Sequence, residues 1–265
     1  ETIHRENPEV QISLLVRKGN EGLFTGHPFL EEVLVWDKQR QKYRNWLQLL
    51  FRIRSARYDR VITLQRFAST GLWTAFSGAN FRAGFSQNPL SIFFTHRVHH
   101  ELSDASSSLH EVERNHLLLS SFIKGKACRP NLYPSEADRV RVAPLVSRSY
   151  LVIAPASVWF TKQYPPEKWA DFINALPSSL QVYLIGGAGD HSLAEKIIRQ
   201  TRQGSVQNLS GQLTLLQTAA LQEKAIMNYV NDSAPLHIAS AMNAPARSMC
   251  ASSPRPTSTC ARRCP

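Results

Sequence analysis

The sequence predicts an α/β protein of two domains, each built on a parallel sheet. Three observations carry this expectation. Apolar runs of strand length recur along the chain, segments with helical spacing stand between them, and a stretch of different character divides the two series. Strands that alternate with helices pair in parallel and are covered on both faces.

In the first half, Gln11 to Val16 is an apolar run after the turn signal Asn7-Pro8. Glu32 to Trp36 is a second run. Arg60 to Leu64, entered through Tyr58-Asp59, is a third, and Phe81 to Phe85 a fourth. Ala68 to Ser77 suits a short helix. Leu109 to Ile123 reads as a longer one, with Leu109, Val112, Leu119 and Ile123 at helical spacing among charged residues. From about Lys124 to Arg148, Pro130, Asn131, Pro134, Ser135 and scattered charges mark a connector and the domain boundary.

The second half is cleaner. Tyr150 to Ala154 is a buried strand. Pro165 and Pro166 then open a helix, as proline suits a first helical turn. Trp169, Phe172, Ile173 and Leu176 give that helix one apolar face. Leu180 to Ile185 is a strand ending in Gly186-Gly187, and His191 to Gln200 is a helix. Thr214 and Gln217 form a capping box for a helix reaching about Leu221. Ala225 to Val230 is a strand and Ala234 to Met242 a short helix. Two such halves make two Rossmann-like domains facing a cleft, and open parallel sheets bind ligands beyond the carboxyl ends of their strands.

The chain has 265 residues, 43% of them hydrophobic, with a formal charge of +11. No apolar run reaches membrane-spanning length. A basic surface attracts anionic partners. Lys38, Arg40, Lys42, Arg44, Arg52, Arg54, Arg57, Arg60 and Arg66 crowd the first half with few acids. Trp46, Phe51 and Tyr58 are interleaved with them, but no nucleic-acid-binding motif accompanies the charge, so no nucleic-acid partner is expected. Cys128, Cys250, Cys260 and Cys264 form no CxxC pair and so support neither a zinc site nor a redox dithiol.

Three strand-to-helix loops of the second half carry candidate chemistry. Asn231-Asp232-Ser233-Ala234-Pro235-Leu236-His237 follows a strand and opens a helix. The Ser233 and Ala234 amides then stand at a helix N-terminus, where anions and phosphate above all are bound. Asp232 serves either as a ligand to substrate or simply as the helix cap. His237 either joins the site or is a half-buried structural histidine. The loop after Ala154 offers the hydroxyls of Ser157 and Thr161 and the cation of Lys162. A lysine there can neutralise a diphosphate leaving group, or can simply be solvated. Gly186-Gly187-Ala188-Gly189-Asp190 lets backbone approach a nucleotide, or is only a flexible turn. Together the loops offer amides, hydroxyls, a cation and a carboxylate, a set that suits a nucleotide diphosphate-sugar.

The spaced residues Lys162-x-Tyr164-Pro165, Trp169, Gly186-Gly187, Asn208-Leu209-Ser210-Gly211 and Asn231-Asp232-Ser233-x-Pro235-x-His237-x-Ala239 resemble the family 9 glycosyltransferases, the heptosyltransferases of lipopolysaccharide core assembly. The first half agrees through Gly26-His27-Pro28-Phe29-Leu30-Glu31-Glu32-Val33, Tyr58-Asp59-Arg60-Val61-Ile62 and Gly78-Ala79-Asn80 with Arg82-Ala83-Gly84-Phe85. The resemblance implies the GT-B arrangement of two Rossmann-like domains. It implies transfer of heptose from ADP-heptose to the inner core of lipopolysaccharide, with inversion, no cofactor and no essential metal. It also implies a cytoplasmic enzyme, peripheral at the inner membrane, whose first domain takes the anionic acceptor. By position, Lys162 and Ser157 resemble contacts to the donor phosphates and Asp232 resembles the contact to heptose. Ser233, Ala234 and His237 belong to the diphosphate-binding helix start. Asp190, or His191 if one gap intervenes, matches the residue that binds the adenosine ribose.

The chain departs from the family in three places. Ala234 stands where glycine is frequent. The family's first strand, and the following loop with the proposed catalytic base, are expected before Glu1. After Pro245 the family continues into an apolar strand, whereas Ala246 to Pro265 shows neither a strand nor a helix period. The expected organisation is therefore an incomplete acceptor-side domain over 1–135, a nucleotide-sugar-binding domain over 149–245 and an aberrant tail over 246–265. A second reading is a nucleotide-sugar-binding fragment without turnover.

Overall fold

The structure, a computed structural model, describes residues 1–100, 109–157 and 163–249. These divide into two compact units. One gathers Glu1–Glu21 and Phe29–Pro130, and the other Gly22–Pro28 and the chain from Asn131 onward. The turn at Gly26-His27-Pro28 thus groups with the later half of the chain. The His27 ring meets Tyr133 edge-on, 4.8 Å between centroids.

In the first unit a short helix α1 (Thr2–Glu6) precedes β1 (Ile12–Arg17) and β2 (Leu30–Trp36), which pair in parallel. Helix α2 (Lys42–Ser55) leads to β3 (Arg60–Ile62), α3 (Ala68–Phe76), β4 (Phe81–Phe85) and β5 (His96–Val98). The last three strands form a second parallel sheet in the order β3-β4-β5. Leu15 of β1, Leu34 and Trp36 of β2, Leu49 and Ile53 of α2, Trp73 of α3 and Val61 of β3 share one core. Two indoles order its centre. Trp73 Nε1 donates to the Trp46 carbonyl and Trp46 Nε1 to the Ser69 carbonyl, each at 3.0 Å. Gly84 in β4 has a packing reason: a Cβ there would meet the Phe94 ring at 2.5 Å. The expected helix from Leu109 to Ile123 is shorter. It is α4 (Glu111–His116), capped by His110 and Glu113, followed by a 3₁₀ turn over Leu117–Leu119.

In the second unit α5 (Glu136–Val142) lies within the stretch read as a connector, its start closed by a Ser135–Asp138 capping box. Then come β6 (Tyr150–Ala154), α6 (Pro166–Asn174), β7 (Gln181–Leu184), α7 (His191–Gln200), β8 (Val206–Asn208), α8 (Leu215–Lys224), β9 (Met227–Val230), α9 (Ala234–Ala241) and β10 (Ala246–Ser248). The sheet order is β10-β9-β6-β7-β8, all parallel. All five residues of β6 are buried, as expected of a central strand whose residues are apolar without alternation. Ile153, Trp169, Ile173, Val182, Leu184, Ala194 and Ile197 fill one face of the sheet. The other face is packed by Val152, Ala220, Leu221 and Val230.

Patterning alone shows no strand after Pro245, and this expectation is corrected at 246–248. Three residues are too few for a period of two to register. What sets β10 in place is tertiary: Asn228 bonds the Pro245 carbonyl through both its backbone N–H and its Nδ2, each at 2.9 Å.

Burial of β6 gives a pH-dependent term. Tyr150 is buried, and its hydroxyl donates to the Leu221 carbonyl at 2.7 Å. Burial pushes the Tyr150 phenol well above its ordinary value of 10.0, with Tyr183 and Glu223 adding to the effect. Burial raises the Tyr183 phenol as well. Below the ordinary value both folded and unfolded chains keep these protons. As pH rises past it the unfolded chain releases them first, so stability falls. Tyr150→Phe should cost about 1 kcal/mol at neutral pH through the lost hydrogen bond. It should also lose less melting temperature than the wild type between about pH 9 and 11. Equal alkaline losses in the two proteins would remove Tyr150 as a source of the effect.

Candidate functional site

The strands of the second unit are parallel, so the loops that follow β6, β7, β8 and β9 leave the same edge of the sheet. Along that edge they stand in the order β9, β6, β7, β8. Every described candidate is in these loops or in the helix turns they open: Ser157 after β6, Asp190 after β7, and Asp232, Ser233, Ala234 and His237 after β9. Lys162 lies outside the described residues.

Asn231 joins the β9 and β6 loops. It is fully buried, and its backbone N–H continues the ladder to the Ala154 carbonyl at 3.2 Å. Its Nδ2 donates to the Pro155 carbonyl at 2.7 Å, and its Oδ1 accepts the Tyr164 N–H at 3.2 Å. One amide thereby holds both ends of the β6 loop, from Pro155 to Tyr164. Within that loop Gln163 Nε2 donates to the Ser157 carbonyl at 2.6 Å.

Helix α9 starts with Ser233 at its N-cap position, in an extended conformation and without a side-chain cap. The Ser233 hydroxyl donates back to the Asn231 carbonyl at 3.2 Å. Asp232 stands one residue before the cap and is exposed, so the N-cap position is not its own. Pro235 in the first turn has no N–H to present. The Leu236 N–H is bonded to the Ser233 carbonyl at 3.0 Å. That leaves Ser233 and Ala234 as the amides placed for an anion. His237 is exposed on α9 rather than half-buried.

The β7 and β8 loops are joined in turn by Gly211, whose N–H donates to the Gly186 carbonyl at 2.9 Å. Its φ of +76° favours glycine, and a Cβ there would meet the Ala188 Cα at 2.8 Å. Asp190 closes its own turn: Oδ2 accepts the Gly187 N–H at 2.8 Å and packs against Gly186. Asn208 sets the β8 end, accepting from the Ser210 N–H at 3.0 Å and donating to Glu195 Oε1 at 2.8 Å. The positioning roles of Asn231, Asn208 and Gly211 are new with the structure. Among the described residues, no three His, Cys, Asp or Glu side chains group to hold a metal ion.

The site is thus a row of loop backbones fixed by buried amides, with two helix-start amides, hydroxyls and a carboxylate at one sheet edge. Such an edge, with loops beyond parallel strands and a helix start among them, suits a phosphorylated ligand. Residues 46–259 match the model of glycosyltransferase family 9 (heptosyltransferase), and the chain belongs to that family. No curated protein matches the chain in sequence. Solved structures agree in fold. The glycosyl transferase family 9 protein of Veillonella parvula superposes with a TM-score of 0.81 at 16% identity, over 92% of this chain and 73% of its own. The ADP-heptose lipopolysaccharide heptosyltransferase II of Escherichia coli gives 0.75 at 22% identity, over 92% and 77%. The E. coli heptosyltransferase WaaC with ADP gives 0.71 at 19% identity, over 92% and 78%.

Proposed function

We propose that this protein transfers heptose from ADP-heptose to the inner core of lipopolysaccharide, with inversion at the anomeric carbon. The observation that carries the reading is the Asn231 tie, which sets the β6 loop beside the start of α9. The donor diphosphate is received by the Ser233 and Ala234 amides, where the helix end favours negative charge. Ser157 and Lys162 add a hydroxyl and a cation to the same phosphates. Asp232 takes the heptose hydroxyls, and the β7 loop with Asp190 takes the adenosine ribose. The acceptor hydroxyl attacks the anomeric carbon from the face opposite the diphosphate. The bond to the diphosphate oxygen breaks, and its electron pair leaves with ADP. The hydroxyl proton passes to a general base.

The donor and the anionic acceptor imply work at the cytoplasmic face of the inner membrane. Among the described residues no helix is long and apolar enough to cross a membrane. The test supplies ADP-heptose and deacylated core acceptor to the purified chain and follows ADP release. Acceptor-dependent release supports transfer. ADP-heptose binding without release supports the alternative of a nucleotide-sugar-binding fragment. Neither binding nor release rejects both.

A further inference from the structure

Helix α2 of the first unit carries an apolar stripe on its outer side. Leu49 and Ile53 are buried in the core, which uses one side of the helix. On the other side Tyr43, Leu47 and Phe51, spaced four residues apart, are 77%, 47% and 66% exposed. Residues four apart lie one above the other on a helix, so these three form a continuous line. By helical angle Arg44 and Arg54 flank that line. Lys42 Nζ sits 5.3 Å from the centre of the Tyr43 ring. Arg54 also donates to the Phe76 carbonyl at 2.8 Å. From Lys38 to Tyr58 there are seven cationic side chains and no acidic one.

We propose that this face of α2 docks on an anionic lipid bilayer surface, with Tyr43, Leu47 and Phe51 entering the headgroup layer and the flanking cations meeting lipid phosphates. Exposed apolar residues inside a basic field are the pattern of helices that lie in the interface plane. A second copy of the chain fits worse, because a two-fold contact through this stripe would bring like charges together. A nucleic acid fits worse as well, because Leu47 has no π-face on which a base could stack. The docking gives the cytoplasmic-face reading above a defined contact surface and rests on it for its biological setting. The surface itself is testable apart from catalysis.

The experiment is co-sedimentation of the full chain with vesicles of phosphatidylcholine alone and of phosphatidylcholine with roughly one-third phosphatidylglycerol. The chain should sediment with the anionic vesicles only, and less so as salt rises. Leu47→Ser with Phe51→Ser should weaken that binding by on the order of 10-fold or more. Arg44→Gln should weaken it less. Far-UV circular dichroism and the melting temperature serve as the folding control and should not move, because Leu47 and Phe51 are exposed. Unchanged sedimentation of the double variant would overturn the docking face. So would equal binding to neutral vesicles, or capture by an unrelated duplex or by a second copy with no vesicle binding. Vesicle binding that survives in a chain shown not to bind ADP-heptose would reject the proposed activity and leave the docking face standing.

Discussion

Asn231→Ala should both destabilise the second unit and cripple donor binding. The substitution removes the acceptor of the Tyr164 N–H and the donor to the Pro155 carbonyl. Pro155 is buried and Tyr164 half-buried, so both groups lose partners where water enters poorly. Leaving a buried polar group unsatisfied costs about 1–3 kcal/mol, so two such losses give at least about 2 kcal/mol. The melting temperature should fall by roughly 5 °C or more. With both ends of the β6 loop released, Ser157 and the loop that carries Lys162 lose their place beside α9, and ADP affinity should drop by about 10-fold or more. Asn231→Asp separates the two bonds. It keeps an acceptor for Tyr164 but loses the donor to Pro155, and should fall between wild type and alanine in melting temperature. Calorimetry with ADP and thermal melting of the three proteins check this. Wild-type ADP affinity in the alanine variant would remove Asn231 from the site's architecture.

Asp232→Asn should act on turnover alone. The side chain is exposed and the N-cap position belongs to Ser233, so the carboxylate is not the cap of α9. Asparagine keeps the size of the side chain and one acceptor oxygen, so the melting temperature should change far less than the activity. In the proposed donor complex the carboxylate would accept from the sugar hydroxyls and set a negative charge near the anomeric carbon, where positive charge develops as the diphosphate leaves. Removing such an electrostatic contact costs on the order of 10²-fold in kcat. ADP affinity should hold or rise, because the diphosphate loses an anionic neighbour. Initial rates, ADP titration and melting curves separate these effects in one variant. A melting temperature that falls in proportion to activity would return Asp232 to a structural role.

What the sequence disclosed and what it hid follow from the length and partners of each element. The strand at Tyr150–Ala154 was legible because a doubly covered strand must be apolar throughout. The start of α8 was legible because Thr214 and Gln217 satisfy each other locally: Thr214 N–H to Gln217 Oε1 at 3.1 Å, and Gln217 N–H to Thr214 Oγ1 at 3.2 Å. The strands at Val206–Asn208 and Ala246–Ser248 have three residues each and show no period. Helix α2 has an inward face of Trp46, Leu49, Leu50 and Ile53, but the apolar Tyr43, Leu47 and Phe51 on its other side blur that period in the sequence. That the candidate loops leave one sheet edge follows from the alternation of strands and helices, because the strands they follow are parallel. Asn231 was visible only as one letter of a motif, since its role depends on Pro155 and Tyr164, both far from it in the chain. Gly211 was equally silent, because the approach of Ala188 to it is a product of the folded sheet.

The carboxyl edge of the second sheet is the surface proposed to bind a nucleoside diphosphate-sugar. Titration of isotope-labelled chain with ADP-heptose, followed by amide resonances, tests it most directly. Shifts should concentrate at Ser157, Gly187 to Asp190, Ser210, Gly211 and Asp232 to Ala234, and Asn231→Ala should weaken them all together. Saturable shifts that fall elsewhere and leave the Ser233 and Ala234 amides unmoved would contradict it.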